Sequence, residues 1–145
     1  MKTILTTLAL AGTLAAQYTE QDIVTMTILG EGRGTGHGMY WIAAVIQQRS
    51  VNRGLPPAQV CLQRAQFSCW RASDPNRAKL PHLLRQDTVE TRYARLLARH
   101  MGRLDTVGTH HADHYHSGRA PYWARRDKRV AVVGRHTFYR LRNNK

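Results

Sequence analysis

The chain has 145 residues, with 22 Lys+Arg against 9 Asp+Glu and a formal net charge of +13. That length holds one domain, and such a domain buries roughly 68–70% of its unfolded surface, enough for a core without many staples. A hydrophobic share of 42% excludes wholesale disorder, and two cysteines exclude a disulfide framework or a Cys₄ zinc site, while the surplus charge implies an anionic partner without choosing between nucleic acid, membrane and acidic polymer.

Met1-Lys2 is a short positive start, Ile4 to Ala16 carries no charge, and Thr13-Leu14-Ala15-Ala16 ends the run in small residues. That is the order of a cleavable export signal. The run is too short to span a bilayer, which needs ~20 apolar residues. The chain is therefore expected to divide into a signal at 1–16 and one domain at 17–145. An N-terminal helix capping the core and a releasable membrane anchor are the alternatives. Cleavage after Ala16 would remove one charge, Lys2, and leave +12. Export would permit a bridge between Cys61 and Cys69, which closes a nine-residue loop. Such a loop contributes about 2.6 kcal/mol in the chain-entropy model. Two buried free thiols are the other reading.

Thr19-x-x-Asp22 predicts a capping box, followed by a short apolar helix through Ile23, Val24, Met26, Ile28 and Leu29. Gly30 is expected to begin its end. Glycines at every second position from 30 to 38 predict an irregular turn. A second, buried helix is expected from about His37, ended by Gly54. Pro56-Pro57 opens a short helix or turn through Arg64, and 66–80 reads as irregular, with a turn at Asp74-Pro75-Asn76. Asp87-x-x-Glu90 predicts a second capping box, with Val89, Tyr93, Leu96, Leu97 and Met101 at helical spacing behind it. Short strands are expected at His114–His116, Arg129–Val133 and His136–Tyr139, with a turn at Gly134-Arg135. The fold class is α+β, α-rich first and β last.

Glu31 stands out among few acids. It sits at the C-terminal end of an apolar helix, where the helix dipole disfavours an anion by roughly 0.3–1 kcal/mol. A local rule broken without visible compensation marks function. Apolar neighbours favour the protonated form that a general acid requires. The competing reading is a solvated glutamate paired with Arg33. The glycine run contains no phosphate-binding frame. Five of the eight histidines fall between His110 and His136, with Asp113 among them. Zinc accepts such ligands, but the spacing matches no zinc motif, and a polar groove lining fits better. On a strand, His114 and His116 share one face. Trp41 and Phe138 read as core, whereas Tyr122 and Trp123 suit either core or sugar stacking. No nucleic-acid-binding signature is present.

Several stretches resemble the cell wall hydrolase family of SleB and CwlJ. They are Ile28-Leu29-Gly30-Glu31-Gly32-Arg33-Gly34 with Ala43-Ala44-Val45-Ile46 and Arg49, then Gln66-Phe67-Ser68-Cys69-Trp70 and Asp113-His114-Tyr115-His116. Pro121-Tyr122-Trp123-Ala124 and Gly134-Arg135-His136-Thr137-Phe138-Tyr139 complete the order. The resemblance spans roughly residues 20–140 and implies a lysozyme-like fold related to lytic transglycosylases and resuscitation-promoting factors. It implies cleavage of the MurNAc–GlcNAc glycan of peptidoglycan, with the catalytic glutamate at Glu31 and no metal or other cofactor. The family's second acidic position falls on Thr35, and Arg135 replaces a common Asn. Substrate binding is expected at Gln66, Phe67, Ser68, His114, Tyr115, His116, Trp123 and His136.

A transglycosylase needs one carboxyl, whereas hydrolysis usually needs a second, ~5–9.5 Å away. Asp74, Asp113 and Asp127 are the later candidates, and none lies in a convincing motif, which favours the transglycosylase. Muramidase-type hydrolysis, a zinc-dependent N-acetylmuramoyl amidase and a non-catalytic cationic wall-binding module are the alternatives. The expected partner is the glycan strand, with electrostatic contact to an anionic envelope. No nucleic acid is expected, and the protein is expected to act as a monomer. The implied location is the periplasm or the cell exterior at the wall, with release as a phage lysin an open variant.

Overall fold

A computed structural model describes residues 17–142. The expected signal at 1–16 lies outside the described residues. Helices α1 (Glu20–Gly32), α2 (Gly36–Arg53), α3 (Pro57–Leu62), α4 (Leu80–Arg85) and α5 (Val89–Arg99) come first. Strands β1 (His114–Ser117), β2 (Arg129–Val133) and β3 (His136–Tyr139) follow. The arrangement is α+β, as expected of a lysozyme-like domain.

Helix α1 is the hub. Thr19 and Asp22 form the predicted capping box, each bonding the other's backbone amide. Ile23 to Leu29 is buried all round, because α2, α3, α4 and α5 all pack against α1. The helix does not stop at Gly30, as the glycine run predicts, but continues to Gly32. The reason is packing: a Cβ on Gly30 would lie 2.7 Å from the Cys69 Cβ. That glycine serves close approach of α1 to the 68–70 turn, not a break. Thr35 then caps α2, its Oγ1 accepting from the Gly38 amide at 2.9 Å.

The second capping box is corrected. Thr88 is the N-cap of α5 and accepts from the Thr91 amide. Asp87 stays outside and pairs with Arg92. The core face of α5 is Thr91, Ala94, Leu97 and Ala98, while Val89 and Leu96 face solvent.

The sheet order is β1-β3-β2, antiparallel throughout. The Gly134-Arg135 turn joins β2 to β3 as predicted, with Gly134 at φ +57. Register pairs Tyr115 with Phe138 and Ser117 with His136. Alternation therefore turns Tyr115, His136 and Phe138 to one face and His114, His116 and Tyr139 to the other. The inner face meets the helices, with the Phe138 ring 4.9 Å from that of Trp41. No helix among the described residues is long and apolar enough to cross a membrane.

Candidate active site

Glu31 occupies the last turn of α1 and is 7% exposed. It is neither solvated nor paired with Arg33. Its Oε1 accepts from the Cys69 amide at 2.8 Å and from Ser68 Oγ at 3.2 Å. Its Oε2 accepts from the Tyr115 hydroxyl at 2.8 Å. These three donors offset both the helix dipole and the loss of water. They come from two distant stretches, the 68–70 turn and β1.

Arg49 ties those stretches together. Its Nε donates to the Asp113 carbonyl at 2.7 Å, and its Nη1 donates to the Gln66 carbonyl at 3.1 Å. The guanidinium lies 4.9 Å from the Phe67 ring centroid and 6.0 Å from that of Tyr115. It is buried, and that burial holds its pKa below the ordinary value. The family resemblance includes Arg49 without giving it this role. A cation on a helix expected to be buried was the available signal.

Asp113 anchors the start of β1. Its carboxylate is bonded to the His114 ring at 3.0 Å and accepts from the Leu141 amide at 2.9 Å and the Arg142 amide at 3.0 Å. Burial would raise its pKa, but these bonds outweigh burial and hold it below the ordinary carboxylate range.

The expected substrate-binding residues divide. Ser68 and Tyr115 reach Glu31 directly. His136 lies beside Tyr115, ring centroids 5.2 Å apart. Phe67 is buried core, and the Gln66 side chain is taken by Arg53 at 2.6 Å. His114, His116 and Trp123 are not brought to Glu31. They cluster on the outer face of the sheet, Trp123 lying 5.3 Å from His114 and 5.9 Å from His116. The period-two alternation of β1 enforces this separation. His116 also stacks on Tyr139, and Tyr122 is fully exposed.

Among the described residues, no three His, Cys, Asp or Glu side chains converge as a metal site would require. Cys61 and Cys69 are both free and buried, the second of the two readings open to them. Burial pushes the Cys61 thiol up to about 12 and moves the Cys69 thiol in the same direction. Both therefore stay protonated and inert at neutral pH.

A cleft of about 290 Å³ opens between the α1–α2 turn and the β2–β3 turn. Arg33, Thr35, Gly38, Arg135 and His136 are among its walls, and Gly32 links it to Glu31. The three donors steady the carboxylate that is left once the proton has been given, so a carboxyl in this setting beside an open cleft is suited to proton transfer at a bound polymer.

A family model described as Cell Wall Hydrolase matches residues 34–139. No curated protein matches, and no solved structure matches. The matched span begins beyond Glu31, so what marks that residue is its geometry.

Proposed function

The chain belongs to the cell wall hydrolase family, and from that premise we propose that it cleaves the MurNAc–GlcNAc bond as a lytic transglycosylase with Glu31 as its one catalytic carboxyl. Glu31 donates its proton to the glycosidic oxygen as the C1–O bond breaks and positive charge develops at C1. The resulting carboxylate then takes the proton of the same sugar's 6-hydroxyl. That oxygen closes on C1 and leaves a 1,6-anhydro end.

The observation that carries this reading is the fate of the other acids, all of which lie among the described residues. Asp22 caps α1, Asp74 accepts from the Asn76 amide, and Asp105 caps the Val107-Gly108 turn. Asp87 and Asp127 pair with arginines at the surface. Asp113 is consumed by the backbone of 141–142. Glu20 and Glu90 are exposed in the first turns of α1 and α5. Each is bound to another partner or faces solvent, and none lines the cleft beside Glu31. A single-carboxyl route fits, whereas paired-carboxylate hydrolysis requires a partner at ~5–9.5 Å.

The uncharged run before residue 17 supports export, and the +13 charge supports adhesion to an anionic envelope. Mass spectrometry of digested peptidoglycan tests the chemistry. Anhydro-muropeptides are expected. Reducing ends alone would replace this route with hydrolysis, and cleaved stem peptides would replace it with an amidase. Glu31→Gln is expected to lower turnover by about 10²–10⁴-fold. Full activity in that variant would remove Glu31 from the mechanism.

A further inference from the structure

The wall of the cleft beside Glu31 holds two arginines and no acid. Arg33 faces it from the α1–α2 turn and Arg135 from the β2–β3 turn. Both are exposed, and neither joins an ion pair among the described residues. The cleft also meets the first turn of α2, an eighteen-residue helix with no acidic residue in that turn. Thr35 caps one amide there, but no acidic side chain offsets the positive end of the dipole.

His136 supplies an independent observation. It is 7% exposed, lines the cleft, and makes no hydrogen bond among the described residues. Burial and the neighbouring Arg135 lower its pKa. The neutral ring keeps one N–H to donate. Its ring nitrogens are not among the polar atoms sealed from solvent, so they open onto the cleft and are free to meet a ligand. Guanidinium groups select planar oxyanions, because their donors match two oxygens at once.

We infer that this cleft is a subsite for a carboxylate carried by the glycan substrate, gripped by Arg33 and Arg135 with His136 donating from the wall. The inference rests on the glycan-cleaving reading above. The glucosamine sugar is neutral. Carboxylates come either from the lactyl ether of muramic acid, where the stem peptide has been removed, or from the stem peptide itself. Arg33 and Arg135 replace no packed contact, so their removal leaves the fold intact.

The test compares full-length wild type with an Arg33→Gln/Arg135→Gln double variant. Substrates are peptide-bearing and peptide-free strands, each with its carboxyls free or converted to amides. In wild type, amidation is expected to raise KM about tenfold, the loss of one charge-assisted pair. In the double variant, KM is expected to be high already and indifferent to amidation. An effect on peptide-free strands identifies the lactyl carboxylate, and an effect confined to peptide-bearing strands identifies the stem. Amidation without effect on wild type would overturn the subsite, as would a double variant still sensitive to it.

A binding measurement separates this from failure of the enzymatic reading. The His136 ring resonance is expected to move when N-acetylmuramic acid is added and to stay when N-acetylglucosamine is added. A shift without any strand cleavage would keep the subsite and remove the glycosidase. Equal responses to both sugars would remove the subsite.

Discussion

The Tyr115 hydroxyl donates to Glu31 Oε2 across 2.8 Å, joining residues 84 positions apart. Burial, with Glu31 beside it, raises the Tyr115 pKa well above its ordinary value, so the phenol keeps its proton. It is a fixed donor rather than a base. Its work is to hold the carboxyl in one orientation while Ser68 and Cys69 hold the other oxygen.

Tyr115→Phe keeps the ring that packs on Phe138 and removes that one bond. Once Glu31 has given up its proton, the phenol's bond to the resulting carboxylate is worth about 1.5–3 kcal/mol. Turnover on purified peptidoglycan is therefore expected to fall roughly 10–100-fold, with KM little changed. A fall in KM-limited rates alone would place Tyr115 in substrate binding instead.

Gly30→Ala tests the close approach of α1 to the 68–70 turn. The new Cβ would sit 2.7 Å from the Cys69 Cβ and 3.0 Å from Leu80 Cδ2. Helix propensity alone would favour alanine by about 1 kcal/mol. Overpacking costs typically 1–3 kcal/mol and wins at such distances. A lower Tm is expected, with a further loss of activity because the Cys69 amide moves off Glu31. A Tm above wild type would mean that the turn yields without cost.

The fold was largely legible because its signals are local. The Thr19–Asp22 box, the Gly54 stop and all three strands follow from capping chemistry, glycine and period-two patterning. The unusual setting of Glu31 was legible too, as an acid where the helix dipole disfavours one. Its partners were not. Tyr115 and His114 are adjacent in sequence, and only the strand's register decides which of them meets α1. Gly30 resembled a helix stop, since a glycine that admits a neighbouring chain looks the same in sequence as one that breaks a helix. The role of Arg49 depends on carbonyls 17 and 64 residues away, which no spacing rule encodes.

Arg49→Lys is expected to destabilise nearly as much as Arg49→Met. The guanidinium serves two carbonyls and lies over an aromatic ring, and an ammonium does not reproduce that fork. Losing those bonds in a buried site costs about 2–4 kcal/mol. Urea unfolding would measure it. Activity should fall in parallel with the folded fraction, and faster if β1 loosens and Tyr115 leaves Glu31. Full rescue by lysine would show that charge, not geometry, is what the site requires.

Stability is expected to fall with acidification in two steps of the same sign. His136 has a folded pKa below its ordinary value, because burial and Arg135 oppose its charge. The unfolded chain therefore binds its proton first, and stability declines as pH drops below about 6.5. Asp113 also has a lowered folded pKa, since its hydrogen bonds outweigh the burial that opposes them. Its contribution is present above the unfolded value of about 3.9 and is lost as pH falls through the folded one. Urea midpoints between pH 8 and pH 3 would resolve both. His136→Gln should flatten the upper step and leave the lower. Asp113→Asn should flatten the lower step and weaken the protein at every pH, since one amide oxygen cannot serve the Leu141 and Arg142 amides as a carboxylate does. Midpoints that do not change between pH 8 and pH 5 in the wild type would show that His136 is as accessible to protons in the folded chain as in the unfolded one.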